Sequence, residues 1–134
     1  MRGRLLRQSL LLAILVSCVA ISRLGAENLP EIAANDNRSP AGELRNGVLT
    51  VHLEIGQGNW RPEGEHGEVI PMYAFGETGK PLQAPGPLIR SPQGTEVAAT
   101  VHNALPMAVM VRGLHGRPGK AGDAITLQPG ATQE

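Results

Sequence analysis

The sequence predicts an all-β fold, a sandwich or barrel of short strands, on three observations. Leu49, Val51, Leu53 and Ile55 alternate with Thr50, His52 and Glu54, the period of two that sends one row of side chains into a core and the other into water. Clusters of glycine and proline recur at intervals of about 8 to 12 residues, the turn spacing of sandwiches. Beyond the apolar amino-terminal run, no stretch repeats apolar residues at helical spacing. The 134 residues leave room for one domain; Gly 17, Pro 11 and only 2% aromatic residues mean many turns and few large core anchors, so marginal compactness is expected.

The first element is an export signal over residues 1–26. Arg2, Arg4 and Arg7 precede the apolar run Ser9 to Ile21, and Leu24-Gly25-Ala26 offers a cleavage site before Glu27. A cationic start holds the amino end on the cytoplasmic side while the apolar run enters the membrane, so a periplasmic or extracellular location is expected. Cys18, the sole cysteine, follows Leu15-Val16-Ser17, which resembles a lipoprotein acylation site. Two readings stay open: an acylated mature terminus that anchors the protein to lipid, or a residue of a discarded signal. In the second case the mature chain has neither a disulfide nor a thiolate ligand.

Residues 27–43 are polar and small, with Asn35-Asp36-Asn37 and Ser39-Pro40 and no regular period, and read as a flexible leader. The domain is expected over 44–134. Its most secure strand is Leu49 to Ile55, ended by Gly56-Gln57-Gly58, with Trp60 on a surface loop running from Asn59 to Gly67. Val69 to Phe75 follows, placed at an edge or bulge by Pro71. Gly76 to Gly79 and Gln83 to Pro87 read as turns with a short strand between them, because Gly supplies positive φ and Pro fixes negative φ. Leu88 to Arg90 is a brief strand before the turn Ser91-Pro92-Gln93-Gly94. Val97, Ala99 and Val101 alternate with Ala98, Thr100 and His102 in the next, and Met107 to Leu114 and Ala124 to Leu127 complete the set.

The charge balance excludes several function classes. Lys+Arg 12 against Asp+Glu 12 gives a formal net charge of +0, so no long-range field favours nucleic acid or an anionic membrane, and membrane contact is expected only if Cys18 is lipidated. Gly76-Glu77-Thr78-Gly79-Lys80 lacks the Ser or Thr a phosphate loop needs, since Pro81 follows Lys80, and reads as a turn. No Gly-x-Ser-x-Gly elbow is present and the acidic residues are scattered. Of the four histidines, His52 and His102 fall on the polar rows of strands as solvated imidazoles, and His66 lies in a loop near Glu63, Glu65 and Glu68 where a weak surface metal contact is conceivable. Met107 and Met110 read as core filler ahead of soft copper ligands.

One run carries a family likeness. Pro85-Gly86-Pro87-Leu88-Ile89-Arg90, then Gln93-Gly94-Thr95-Glu96-Val97, Asn103-Ala104-Leu105, the stretch Arg112 to Gly119 and Leu127-Gln128-Pro129-Gly130-Ala131-Thr132 together resemble the first plastocyanin-like domain of multicopper oxidases over most of Asn46 to Glu134. The resemblance implies an incomplete cupredoxin-like Greek-key β-sandwich, copper as cofactor, and either further cupredoxin domains or another chain to complete a copper cluster. It also implies oxidoreductase chemistry in which one-electron oxidations drive four-electron reduction of oxygen.

The same likeness brings departures. Its copper motif pairs two histidines as His-x-His before a glycine, since side chains two residues apart on a strand leave one face. If Gly113 is that glycine, Met110 and Arg112 replace both histidines; if Gly116 is, His115 fills the second place and Gly113 replaces the first. A charged guanidinium cannot ligate copper and glycine has no side chain. His115 is therefore the one candidate metal ligand, and the isolated chain is expected to be inactive as an oxidase. The rival expectation is a copper-free β-sandwich that binds another protein through its unpaired edges.

Overall fold

The computed structural model describes residues 28–113 and 124–134. The export signal, Cys18 and His115 lie outside the described residues. Among those described the fold is all-β without helix, in the order β1 (Ala33–Ala34), β2 (Glu43–Arg45), β3 (Val48–Trp60), β4 (Ile70–Glu77), β5 (Gln83–Ala84), β6 (Glu96–Asn103), β7 (Val109–Arg112), β8 (Ala124–Leu127) and β9 (Thr132–Gln133). A larger mixed sheet runs β1-β5-β4-β3-β6-β9 with β2 also paired to β3, and β7 and β8 form a two-stranded antiparallel sheet.

β3 organises the larger sheet. Asn46 and Gly47, both at positive φ, make the tight turn that folds β2 back on it with Arg45 opposite Val48. Asn-Gly suits this two-residue hairpin because both central positions need positive φ. β4 pairs antiparallel with the second half of β3, from Leu53 opposite Glu77 to Trp60 opposite Ile70. β6 pairs parallel with the first half, Val48 opposite Glu96 through His52 opposite Thr100.

The principal core lies on the odd-numbered face of β3. Leu49, Val51, Leu53 and Ile55 are buried there with Ala41, Val101 and Leu105, and Val111 and Leu127 reach them from the smaller sheet. Within that sheet Val109 pairs with Leu127 and Val111 with Ile125, so one face of the hairpin is apolar and covers the core. Phe75 packs at its margin.

Beyond Ile55 the expectation fails in an informative way. Gly56-Gln57-Gly58 continues β3 to Trp60 instead of ending it. A Cβ on Gly56 would meet Leu82 at 3.1 Å, and one on Gly58 would meet Ile32 and the Pro30 carbonyl at 2.7 Å. These glycines keep strand conformation and clear space for chain crossing the even-numbered face. The crossing chain is β5 together with residues from the expected leader. Ile32, Ala74 and Leu82 form a second buried cluster there, joined by Trp60, Met72 and Ala84, so Trp60 ends a strand and is not carried on a loop.

Residues 31–41, read from composition as leader, are thus built into the sheet. Ile32 N–H donates to Asn59 O at 2.8 Å, Ala33 N–H to Leu82 O at 2.8 Å, Asn35 N–H to Ala84 O at 3.1 Å and Ala41 N–H to Leu88 O at 2.7 Å. Backbone hydrogen bonds of this kind are indifferent to side-chain polarity, which is why composition did not reveal them. Leu88 to Arg90 makes only the single bridge of Leu88 to Pro40 in place of a strand, and the short strand expected before Gln83 falls on Gln83–Ala84. β8 matches its expected bounds, while β9 has no counterpart among the expected strands.

Candidate functional site

Among the described residues the most densely bonded polar side chain is that of Asn103, at the end of β6 and 0% exposed. Its Nδ2 donates to the carbonyls of Met107 at 2.9 Å, Leu127 at 3.1 Å and Gln128 at 3.1 Å, while Oδ1 accepts from Leu105 N–H at 3.0 Å. Its backbone accepts from Gly130 N–H at 2.8 Å and donates to Ala131 O at 2.9 Å. One side chain therefore closes the 103–107 turn, holds the end of β8 and fixes the turn into β9. A buried amide with all these partners is architectural, and it ties the two sheets together.

A second polar junction lies where β2, β3 and β4 meet. Glu77 Oε1 accepts from Gly42 N–H at 2.9 Å and Oε2 pairs with Lys80 Nζ. The Lys80 hydrogen bond, then the Gly42 N–H and the Lys80 charge, hold the Glu77 carboxyl below its ordinary value of 4.5 against the opposing effect of partial burial. Lys80 N–H also donates to Glu77 O at 2.9 Å and Gly79 adopts positive φ, so the turn spans Glu77 to Lys80, while Gly76, expected in it, is still strand opposite Glu54.

The metal candidates of the sequence are dispersed. His115 is outside the described residues. His66 is exposed in its loop with Glu63, Glu65 and Glu68. Among the described residues no group of three or more His, Cys, Asp or Glu is placed to hold a metal ion. Met110 and Arg112, the pair standing in one register of the copper motif, share the outward face of β7, with Arg112 Nη2 3.4 Å from Met110 Sδ. The expectation that Met107 and Met110 fill the core is overturned: Met107 is 46% and Met110 60% exposed, because Val109 and Val111 take the inward positions.

His52 and His102 stand on the polar rows as expected, yet the register relates them in a way their separation in sequence does not suggest. His52 lies opposite Thr100 in the parallel pair β3–β6, so His102 is its diagonal neighbour on the same open face. His102 lies in turn opposite Thr132 of β9, and its Nδ1 is 2.9 Å from the Thr132 hydroxyl.

No family model matches this chain, and neither curated proteins nor solved structures contain a significant match to it.

Proposed function

We propose that this chain is the amino-terminal, cupredoxin-like part of an exported protein of the multicopper oxidase type, serving there as a structural β-sandwich that later cupredoxin domains or a second chain complete. The observation that carries this reading is the position of the resembling stretches at the joints of the fold. Leu88 bridges to Pro40, Glu96-Val97 opens β6, Asn103-Ala104-Leu105 contains the buried amide, and Leu127 to Thr132 leads from β8 into β9. A likeness built on such joints concerns architecture first.

Copper, where bound, supplies one-electron redox chemistry. The Met110 and Arg112 pair does not fit it, because a charged guanidinium has no lone pair to donate. No oxidase step is assigned to the chain, and His115 remains the proposed single imidazole ligand, to be completed from elsewhere.

A second reading, a copper-free interaction module, draws on one observation. Leu44, Leu49 and Val97 lie in one row across β2, β3 and β6, and the outer two are 48% and 45% exposed, beyond the cover of the smaller sheet. Copper titration of the purified chain tests both readings. Loss of one bound copper equivalent on His115→Ala, without oxidation of a phenolic substrate by the parent chain, is expected; turnover by the isolated chain sinks the structural role, and total copper binding unchanged by His115→Ala removes the proposed ligand.

A further inference from the structure

We propose a second, independent metal site on the open face of the larger sheet, formed by His52 of β3 and His102 of β6 and selective for divalent transition ions that favour imidazole. The register makes the two residues diagonal neighbours on one face. With strands about 4.8 Å apart and a rise of about 3.3 Å per residue, their Cα atoms lie about 8 Å apart, a span two imidazoles can bridge through one ion. The face is accessible: His52 is exposed and His102 partly so, while the inward neighbours Val51, Val101 and Asn103 take up the core side.

The hydrogen bond to Thr132 adds direction. When His102 Nδ1–H donates to the Thr132 hydroxyl, Nε2 carries the lone pair and the ring is held by a partner on the neighbouring strand. Outer partners of this kind orient metal-binding imidazoles and raise their basicity. Glu54 follows His52 on the same row of β3, and Lys80 and Glu77 border His52 on the opposite flank. With no third side chain converging among the described residues, water completes the coordination sphere. Such a two-imidazole site ranks ions by intrinsic affinity, Cu²⁺ above Zn²⁺ and Ni²⁺.

This site is separate from the one proposed at His115, and the test keeps them apart. The full chain is titrated calorimetrically with Cu²⁺, and histidine ring resonances are followed during titration with Zn²⁺. Expected are shifts of the His52 and His102 rings together, a loss of affinity of about tenfold or more in His52→Ala and in His102→Ala, and a smaller loss in Thr132→Val. His66→Ala and His115→Ala leave this binding unchanged. His102→Gln keeps a partner for Thr132 and controls for local structure. Absence of binding, or binding unaffected by either His52→Ala or His102→Ala, overturns the site. Binding lost only on His115→Ala overturns it while leaving the proposed function standing.

Discussion

The two halves of β3 obey different rules. From Val48 to Ile55 burial alternates, with Val48 and Glu54 partly covered, the odd row entering the core and the even row carrying Thr50, His52 and Glu54 on the other face. From Gly56 to Trp60 the even row is covered too, although Gln57 on the odd row stays exposed, because chain around Pro30, Ile32 and Leu82 crosses where Gly56 and Gly58 have no side chains. Alternation describes a strand with one buried face; glycine in a strand marks where another backbone passes over the second. The first half could be read from hydrophobicity alone, whereas the second half requires knowing what crosses it.

The largest expected effect comes from removing the amide that anchors the first half to the smaller sheet. Asn103→Leu leaves the carbonyls of Met107, Leu127 and Gln128 and the Leu105 N–H without their partner in a buried site, and should cost roughly 3 kcal/mol or more in urea unfolding. A loss below about 1 kcal/mol would mean that β8 is held by apolar packing alone.

The glycine half predicts a smaller, graded response. Gly58→Ala places a methyl group 2.7 Å from the Pro30 carbonyl and Ile32, so backbone must shift and about 1 to 3 kcal/mol should be lost. Gly56→Ala meets only the end of Leu82 at 3.1 Å or more and should cost less. Ile32→Ala, measured alongside, should cost about 2 kcal/mol or more as a buried core truncation, whereas an unpacked leader would register nothing beyond about 0.5 kcal/mol. Equal, negligible effects at all three positions would abolish the distinction between the halves.

The smallest effect lies within the first half, at Glu77 opposite Leu53. Because the folded state lowers its pKa below 4.5, its stabilisation is fully present above that value and is lost as pH falls through the lowered value. Glu77→Gln should therefore cost a few tenths to about 1 kcal/mol at neutral pH, with the difference from the parent chain shrinking towards acid. A difference independent of pH between neutral and strongly acidic conditions would assign the effect to packing and not to the ion pair with Lys80.

Several signals were present locally. The alternation in β3 and the turn that Gly79 closes between Glu77 and Lys80 each follow from their own residues, as does the placement of Pro71. Pro71 lies opposite Asn59 in the stretch of β4 that β5 does not reach, since β5 pairs only at Phe75. Asn46-Gly47 also announced the β2–β3 hairpin, since this dipeptide satisfies a turn with two positive φ values. For the site, the polar placement of His52 and His102 was legible, but their adjacency was not. It depends on a parallel register linking residues about fifty positions apart, and no local pattern specifies such a pairing.

By itself, the sequence determined the all-β class, the face of β3 that enters the core and the turns that glycine and proline impose, because period and backbone angle are properties of neighbouring residues. The tertiary structure alone decided that residues 31–41 join the sheet, that β3 runs on through its glycines, that Asn103 binds two sheets together and that His52 and His102 share a face. Each of those depends on a partner distant in the chain, and backbone hydrogen bonds and close packing accept such partners with little regard to local composition.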